Sequence, residues 1–133
     1  MTMMPRDRKA IDESTRNSYF NNVFLLTRLD IPWPECGFDA RPGWLPIIEV
    51  TLERLITAGW DKKLDQVKQK FCQLRIYISQ CERDQNGFEN ELGLIIRQGV
   101  EACDKVCEVC GNERERKGCG MGWALCNACG KDE

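Results

Sequence analysis

Histidine is missing from all 133 residues. That excludes Ser-His-Asp and Cys-His nucleophile pairs and any zinc-protease helix of the H-E-x-x-H type. Long apolar runs are missing too, and nothing approaches the ~20 residues that span a bilayer. The opening stretch, MTMMPRDRKAIDESTRNSYF, has no apolar segment of the secretory kind. This predicts an intracellular protein whose thiols stay reduced. A basic surplus is absent, because the formal net charge is −2, and this argues against a general nucleic-acid binder. There is no internal repeat, no low-complexity tract and no phosphate-cradling loop. Glu49 and Glu53 share a helix face, which is ordinarily a solvated one. With no catalytic constellation, the expectation is a protein that is not an enzyme.

Cysteine, by contrast, is abundant. There are nine, an odd number that no complete disulfide framework can use. Four form two C-x2-C pairs, Cys107 with Cys110 and Cys126 with Cys129, separated by fifteen residues. Two sulfurs three positions apart can occupy one edge of a tetrahedron when the backbone turns tightly. Gly111 and Gly130 follow the second cysteine of each pair, where such a turn often needs positive φ. The spacing predicts one structural Zn2+ held by four thiolates, with Cys119 as the rival ligand. Four protein ligands close the site, and four deprotonated thiols leave it a net −2. Cys36, Cys72, Cys81, Cys103 and Cys119 read as buried, inert thiols, with no histidine to activate one.

Periodicity supplies the rest. Tyr19, Phe20, Val23, Phe24 and Leu26 fit one face of a helix from Ser14 to Leu29. DIPWPECGFDARPGW has three prolines and two glycines and reads as a loop. A second helix is predicted from about Leu45 to Ala58, buried along Ile48, Leu52, Leu55 and Ile56, with Pro46 in its first turn and Gly59 ending it. LDQVKQKFCQLRIYIS then changes to a two-residue period, which predicts two strands turning near Cys72–Gln73. Phe88, Leu92, Ile95, Gly99, Cys103 and Val106 return to helical spacing. Gly99 lies on that helix's buried face, where it permits close approach to another element. The predicted fold is α+β: two or three helices packed on a short antiparallel sheet, closed by a C-terminal four-cysteine zinc ribbon or treble-clef-like finger. Residues 1–106 form the body, with 1–14 a polar arm, and 107–133 form the zinc module packed on it.

Two resemblances follow from these motifs. GWALCNACG is similar to the second half of a GATA-type zinc finger. That family reads DNA with a helix beginning at its second cysteine pair and a basic tail beyond it. Here Lys131-Asp132-Glu133 follows Gly130, so the resemblance implies zinc geometry and not DNA reading. A broader resemblance covers about 95 residues. Cys36, Gly37, Gly43 and Trp44, then Gln66, Val67, Lys68, Lys70, Phe71, Leu74, Arg75 and Tyr77, then C-E-x-C-G and G-W…L-C, match the order of a family of small zinc-ribbon proteins from phages and prophages. The chain departs from that pattern by an insertion between Gly37 and Gly43 and by Cys72 where glycine is usual. The resemblance implies a phage–host setting in the bacterial cytoplasm, including inhibition of a defence system.

Charge is segregated along the chain. Residues 61–79 hold five bases against two acids, whereas 80–113 hold three bases against eight acids. Lys68, Lys70 and Arg75 therefore define a basic strand face, with Tyr77 as a stacking or hot-spot residue and Trp33, between two prolines, as an exposed anchor. Trp44, Trp60 and Trp123 read as core anchors. The ERERK run at 113–117 reads as solvated. The expected function is a zinc-stabilised interaction protein that binds and modulates a host bacterial protein. The alternative is a nucleic-acid-binding accessory protein using the same face.

Overall fold

The computed structural model describes residues 20–79, 90–114, 124–126 and 129. The fold is α+β. Helical residues 20–28 (α1) precede helix α2 (Leu45–Thr57), strands β1 (Leu64–Lys70) and β2 (Gln73–Ile78), and helix α3 (Glu91–Cys103). The strands form an antiparallel hairpin, and four cysteines cluster towards the C-terminal end.

Two helices end in the same way. At α2, Trp60 N–H donates to Leu55 O and Gly59 N–H to Ile56 O, both at 3.0 Å, with Gly59 at φ +99°. This pair of bonds is a Schellman termination, which uses the left-handed conformation glycine adopts without strain. At α1, Ile31 N–H donates to Leu26 O and Asp30 N–H to Thr27 O, with Asp30 taking the left-handed position at φ 58°. Helix α3 begins at Asn90, whose side-chain oxygen accepts from Gly93 N–H at 2.8 Å and satisfies an otherwise orphan donor.

The α2 stripe is buried as predicted at Ile48, Leu52 and Leu55, which are inaccessible to solvent. On α3, Leu92, Ile95, Gly99 and Cys103 face inward. The helices meet at Gly99, where an added Cβ would lie 2.4 Å from Thr51 Oγ1. Trp44 and Trp60 are buried core anchors, as expected, and Trp33 is the exposed exception. Phe88, Trp123, Cys81 and Cys119 fall outside the described residues, as do 1–14 and most of the ERERK run.

The first helix corrects its predicted face. Phe20 and Phe24 are 63% and 66% exposed, while Asn22, Leu25 and Leu26 are buried. Hydrophobicity alone chose the larger side chains. Packing instead follows Asn22, whose amide donates to Phe38 O at 3.1 Å and docks the helix on the loop before α2. Glu49 is not simply solvated either: Arg28 of α1 pairs with it at 2.8 Å.

The hairpin register aligns Lys68 with Arg75, Gln66 with Tyr77 and Lys70 with Gln73 on one side, and Val67 with Ile76 and Gln69 with Leu74 on the other. The turn residues are Phe71 and Cys72, one position earlier than predicted, at φ 54° and 64°. Two successive positive φ values define a type I′ turn, which matches strand twist and ordinarily selects Asn-Gly. Phe71 is therefore not an inward strand residue; it stands at the tip, 77% exposed. Cys72 corrects the expectation of a free thiol, because it is disulfide-bonded. Residues 36–39 pair in parallel with the other edge of β1 through Val67, which donates to Gly37 O at 3.0 Å and accepts from Asp39 N–H at 2.9 Å.

Candidate metal centre

The first cysteine pair sits at the tip of a narrow loop. Val106 and Glu113 form an antiparallel bridge, and Arg114 N–H donates to Lys105 O at 2.8 Å. Inside this bridge, Cys107 N–H donates to Asn112 O and Gly111 N–H to Cys107 O. Gly111 has φ +82°, as expected for the residue after the second cysteine. The loop is anchored to α3 by Arg114, whose guanidinium donates twice to Asp104 O at the helix end, at 3.1 and 2.6 Å. Arg114 is 7% exposed, so this part of the ERERK run is a buried helix cap rather than a solvated charge.

The Sγ atoms of Cys107, Cys110, Cys126 and Cys129 all lie within 4.8 Å of one another. Cys110 and Cys126 approach to 3.6 Å. Four sulfurs about 2.3 Å from one ion would be about 3.8 Å apart at the edges of a tetrahedron. The cluster therefore fits a single ion. Two backbone donors address the sulfurs: Asn112 N–H to Cys110 Sγ at 3.5 Å and Cys129 N–H to Cys126 Sγ at 3.4 Å. Burial raises the Cys126 thiol, but the Cys129 N–H and the neighbouring thiols outweigh it and leave Cys126 below its ordinary range. Cys110 and Cys129 are pushed up, chiefly by burial. Cys107 is wholly buried and Cys110 exposed, so the cluster has an inner and an outer side. These four cysteines can hold a metal ion.

Of the other cysteines, Cys103 is buried and its thiol is raised by desolvation, then by the charges of Asp104 and Glu108, as befits an inert core residue. Cys36 is exposed, contrary to its predicted burial.

Sequence reasoning missed Glu108. It lies between the two cysteines of the first pair and is 0% exposed. One oxygen accepts from Ala124 N–H at 2.6 Å and Gln69 Nε2 at 2.9 Å, and the other faces Arg41 Nη1 at 3.5 Å. Burial raises its carboxyl above the usual range, while Ala124, Gln69 and Arg41 oppose that shift. Burial also lowers Arg41, against the attraction of Glu108 and Asp39. A signal was present: an extra carboxylate between thiolate ligands of an already anionic site is unfavourable unless other groups compensate it.

Gly43 and Trp44 complete the seam. Gly43 N–H donates to Glu108 O at 2.8 Å, and a Cβ on Gly43 would meet Cys107 O at 2.1 Å. Trp44 Nε1 donates to Val106 O at 2.9 Å. The cysteine module is thus joined to the turn before α2 and to the inner side of β1.

The predicted contact residues fall into two places. Lys68, Lys70, Arg75 and Tyr77 share the outward side of the hairpin, with Tyr77 44% exposed. Trp33 is 45% exposed on the loop beside β1, its ring tilted against Phe38 at 6.3 Å, and is not part of that outward side. Among the described residues, no helix is long and apolar enough to cross a membrane. No protein-family model matches this chain, and neither does any curated protein or solved structure.

Proposed function

We propose that this is a zinc-stabilised, non-enzymatic interaction protein. On this reading the four cysteines hold one structural Zn2+, and the outward side of the hairpin meets an acidic surface of a bacterial host protein and modulates it. The observation that carries it is the strand register. Lys68 and Arg75 stand directly opposite each other, with Lys70 on the same side. Like charges directly opposite are destabilising. None of the three has a carboxylate partner among the described residues; Lys70 instead lies 5.6 Å from the Phe71 ring centroid. The exposed aromatics Phe71 and Tyr77 flank these cations. Unpaired cations beside exposed aromatics suit recognition of a partner that supplies negative charge and apolar contact.

The inhibitor role, including action on a defence-system component, extends this reading to the phage–host setting that the sequence motifs imply, a setting and not a chemistry. The test is affinity capture from nuclease-treated bacterial lysate with the wild type and with Lys68→Ala/Lys70→Ala/Arg75→Ala. One stoichiometric protein retained by the wild type and lost by the variant supports the reading. Equal retention by both sinks the basic-face assignment. A second reading, single-stranded nucleic acid, is favoured by the same alternation of cations and aromatics, since bases stack on exposed rings. It predicts nucleic acid in place of protein when nuclease is omitted, with binding that falls steeply with salt.

A further inference from the structure

We propose that Glu108 is a positioning residue of the metal site. Through one buried carboxylate it sets the second cysteine pair against the first and ties both to β1, so that metal affinity and hairpin order are linked. This inference rests on the reading of the four cysteines as a metal site.

Ala124 lies two residues before Cys126. Glu108 N–H donates to Ala124 O at 2.8 Å, and Ala124 N–H donates to the Glu108 carboxylate at 2.6 Å. Both backbone groups of Ala124 are therefore held by one residue. The carboxylate stands in for the carbonyl that a neighbouring strand would offer. This brings the two cysteine pairs together by bonds that do not themselves involve sulfur. The same carboxylate reaches the body. Gln69, on the inner side of β1, donates to the oxygen that also accepts from Ala124, and Arg41 faces the other oxygen. Gly43 N–H donates to the Glu108 backbone carbonyl.

An ionised carboxylate is acceptor-only and can take several donors at once. Three donors converge here, from Ala124, Gln69 and Arg41. A glutamine offers one acceptor oxygen and would set its own N–H2 against some of them. Aspartate is shorter by one methylene. Coupling between binding and order is reciprocal. If Gln69 holds the carboxylate that orders the site, metal at the site must in turn steady β1.

The experiment uses the full chain and Zn2+ itself. Zinc affinity is measured by competition with a chromophoric chelator for the wild type, Glu108→Ala, Glu108→Gln and Gln69→Ala. Co2+ spectra identify the ligand set of each, and amide exchange of β1 and β2 is followed with and without zinc. Outer groups that orient ligands contribute about 10- to 100-fold to metal affinity, which is the loss expected for Glu108→Ala. Glu108→Gln should recover part of it. Gln69→Ala, which lies far from the ligands in sequence, should weaken zinc about two- to tenfold, the worth of one hydrogen bond. All four proteins should keep the Co2+ spectrum of four thiolates. Zinc should slow exchange in β1 of the wild type and have less effect in Gln69→Ala.

Wild-type affinity in both Glu108→Ala and Gln69→Ala, or β1 exchange indifferent to zinc, would overturn the proposal while leaving the metal site intact. A wild type that binds no Zn2+ would overturn the metal reading and the proposal with it.

Discussion

Two seams in this molecule close at a glycine, yet they are built differently. At the α2–α3 seam, Gly99 meets the side chain of Thr51. At the seam between body and cysteine module, Gly43 meets the backbone of Cys107, Glu108 and Gly111. A side chain can rotate or be shortened, whereas a backbone held in a turn cannot withdraw. The first seam is lined by the apolar core. The second is polar, assembled from Glu108, Arg41, Gln69 and the Trp44 indole, beside a small cluster of Cys107, Leu125 and Cys126. Hydrophobic burial holds the first. The second combines a few directed bonds with the metal that the cysteines can take.

The largest effect should come from breaking the polar seam at its ligands. Cys107→Ser or removal of metal by a chelator should abolish stoichiometric zinc and unfold the module, because structural zinc contributes about 10–16 kcal/mol in small zinc domains. Amide exchange should show α2 and α3 still protected, and loss of their protection would mean that the seams are not independent. Next comes Gly43→Ala. Its Cβ would fall 2.1 Å from Cys107 O, and about 3 kcal/mol of destabilisation is expected, at the top of the overpacking range. No side-chain truncation nearby should rescue it.

Gly99→Ala should cost less, about 1–2 kcal/mol, and Thr51→Ala in the same chain should restore most of that. Denaturant melts of the single and double variants would show whether the contrast between the glycines holds. The smallest effect has the opposite sign. Phe71 occupies a left-handed position at φ 54° that asparagine tolerates better, so Phe71→Asn should stabilise the hairpin by about 1 kcal/mol. A loss of stability instead would mean that the Phe71 ring packs on something in solution.

Much of this was legible beforehand because it rests on period and spacing. The stripe Ile48, Leu52, Leu55, the outward row Lys68, Lys70, Arg75, Tyr77 and the cluster of Cys107, Cys110, Cys126 and Cys129 are all of this kind. What escaped was set by long-range partners. Phe20 and Phe24 looked like the buried face of α1, until Asn22 bonded to Phe38 O turned that face outward. Phe71 looked inward because it continued an alternation, and no Asn-Gly announced the turn. Glu108 went unremarked, and Arg114 read as a solvated charge. Each is buried because its partners, Gln69 and Arg41 for one and Asp104 for the other, come from elsewhere in the chain.

The pairing of residues 36–39 with β1 leaves one more consequence. β1 is occupied on both edges, by that segment and by β2, whereas among the described residues β2 pairs with β1 alone. Among the described residues its far side has no strand partner, and such an edge is the kind of template on which a second chain can add as a strand. Natural sheets guard such borders with charge. Arg75 sits in the middle of this short strand, opposite Lys68. The cations assigned to partner recognition would therefore also repel identical neighbours. Neutralising them would remove a safeguard against strand-to-strand aggregation, and the triple-alanine protein should be checked for mass in solution before its binding is judged.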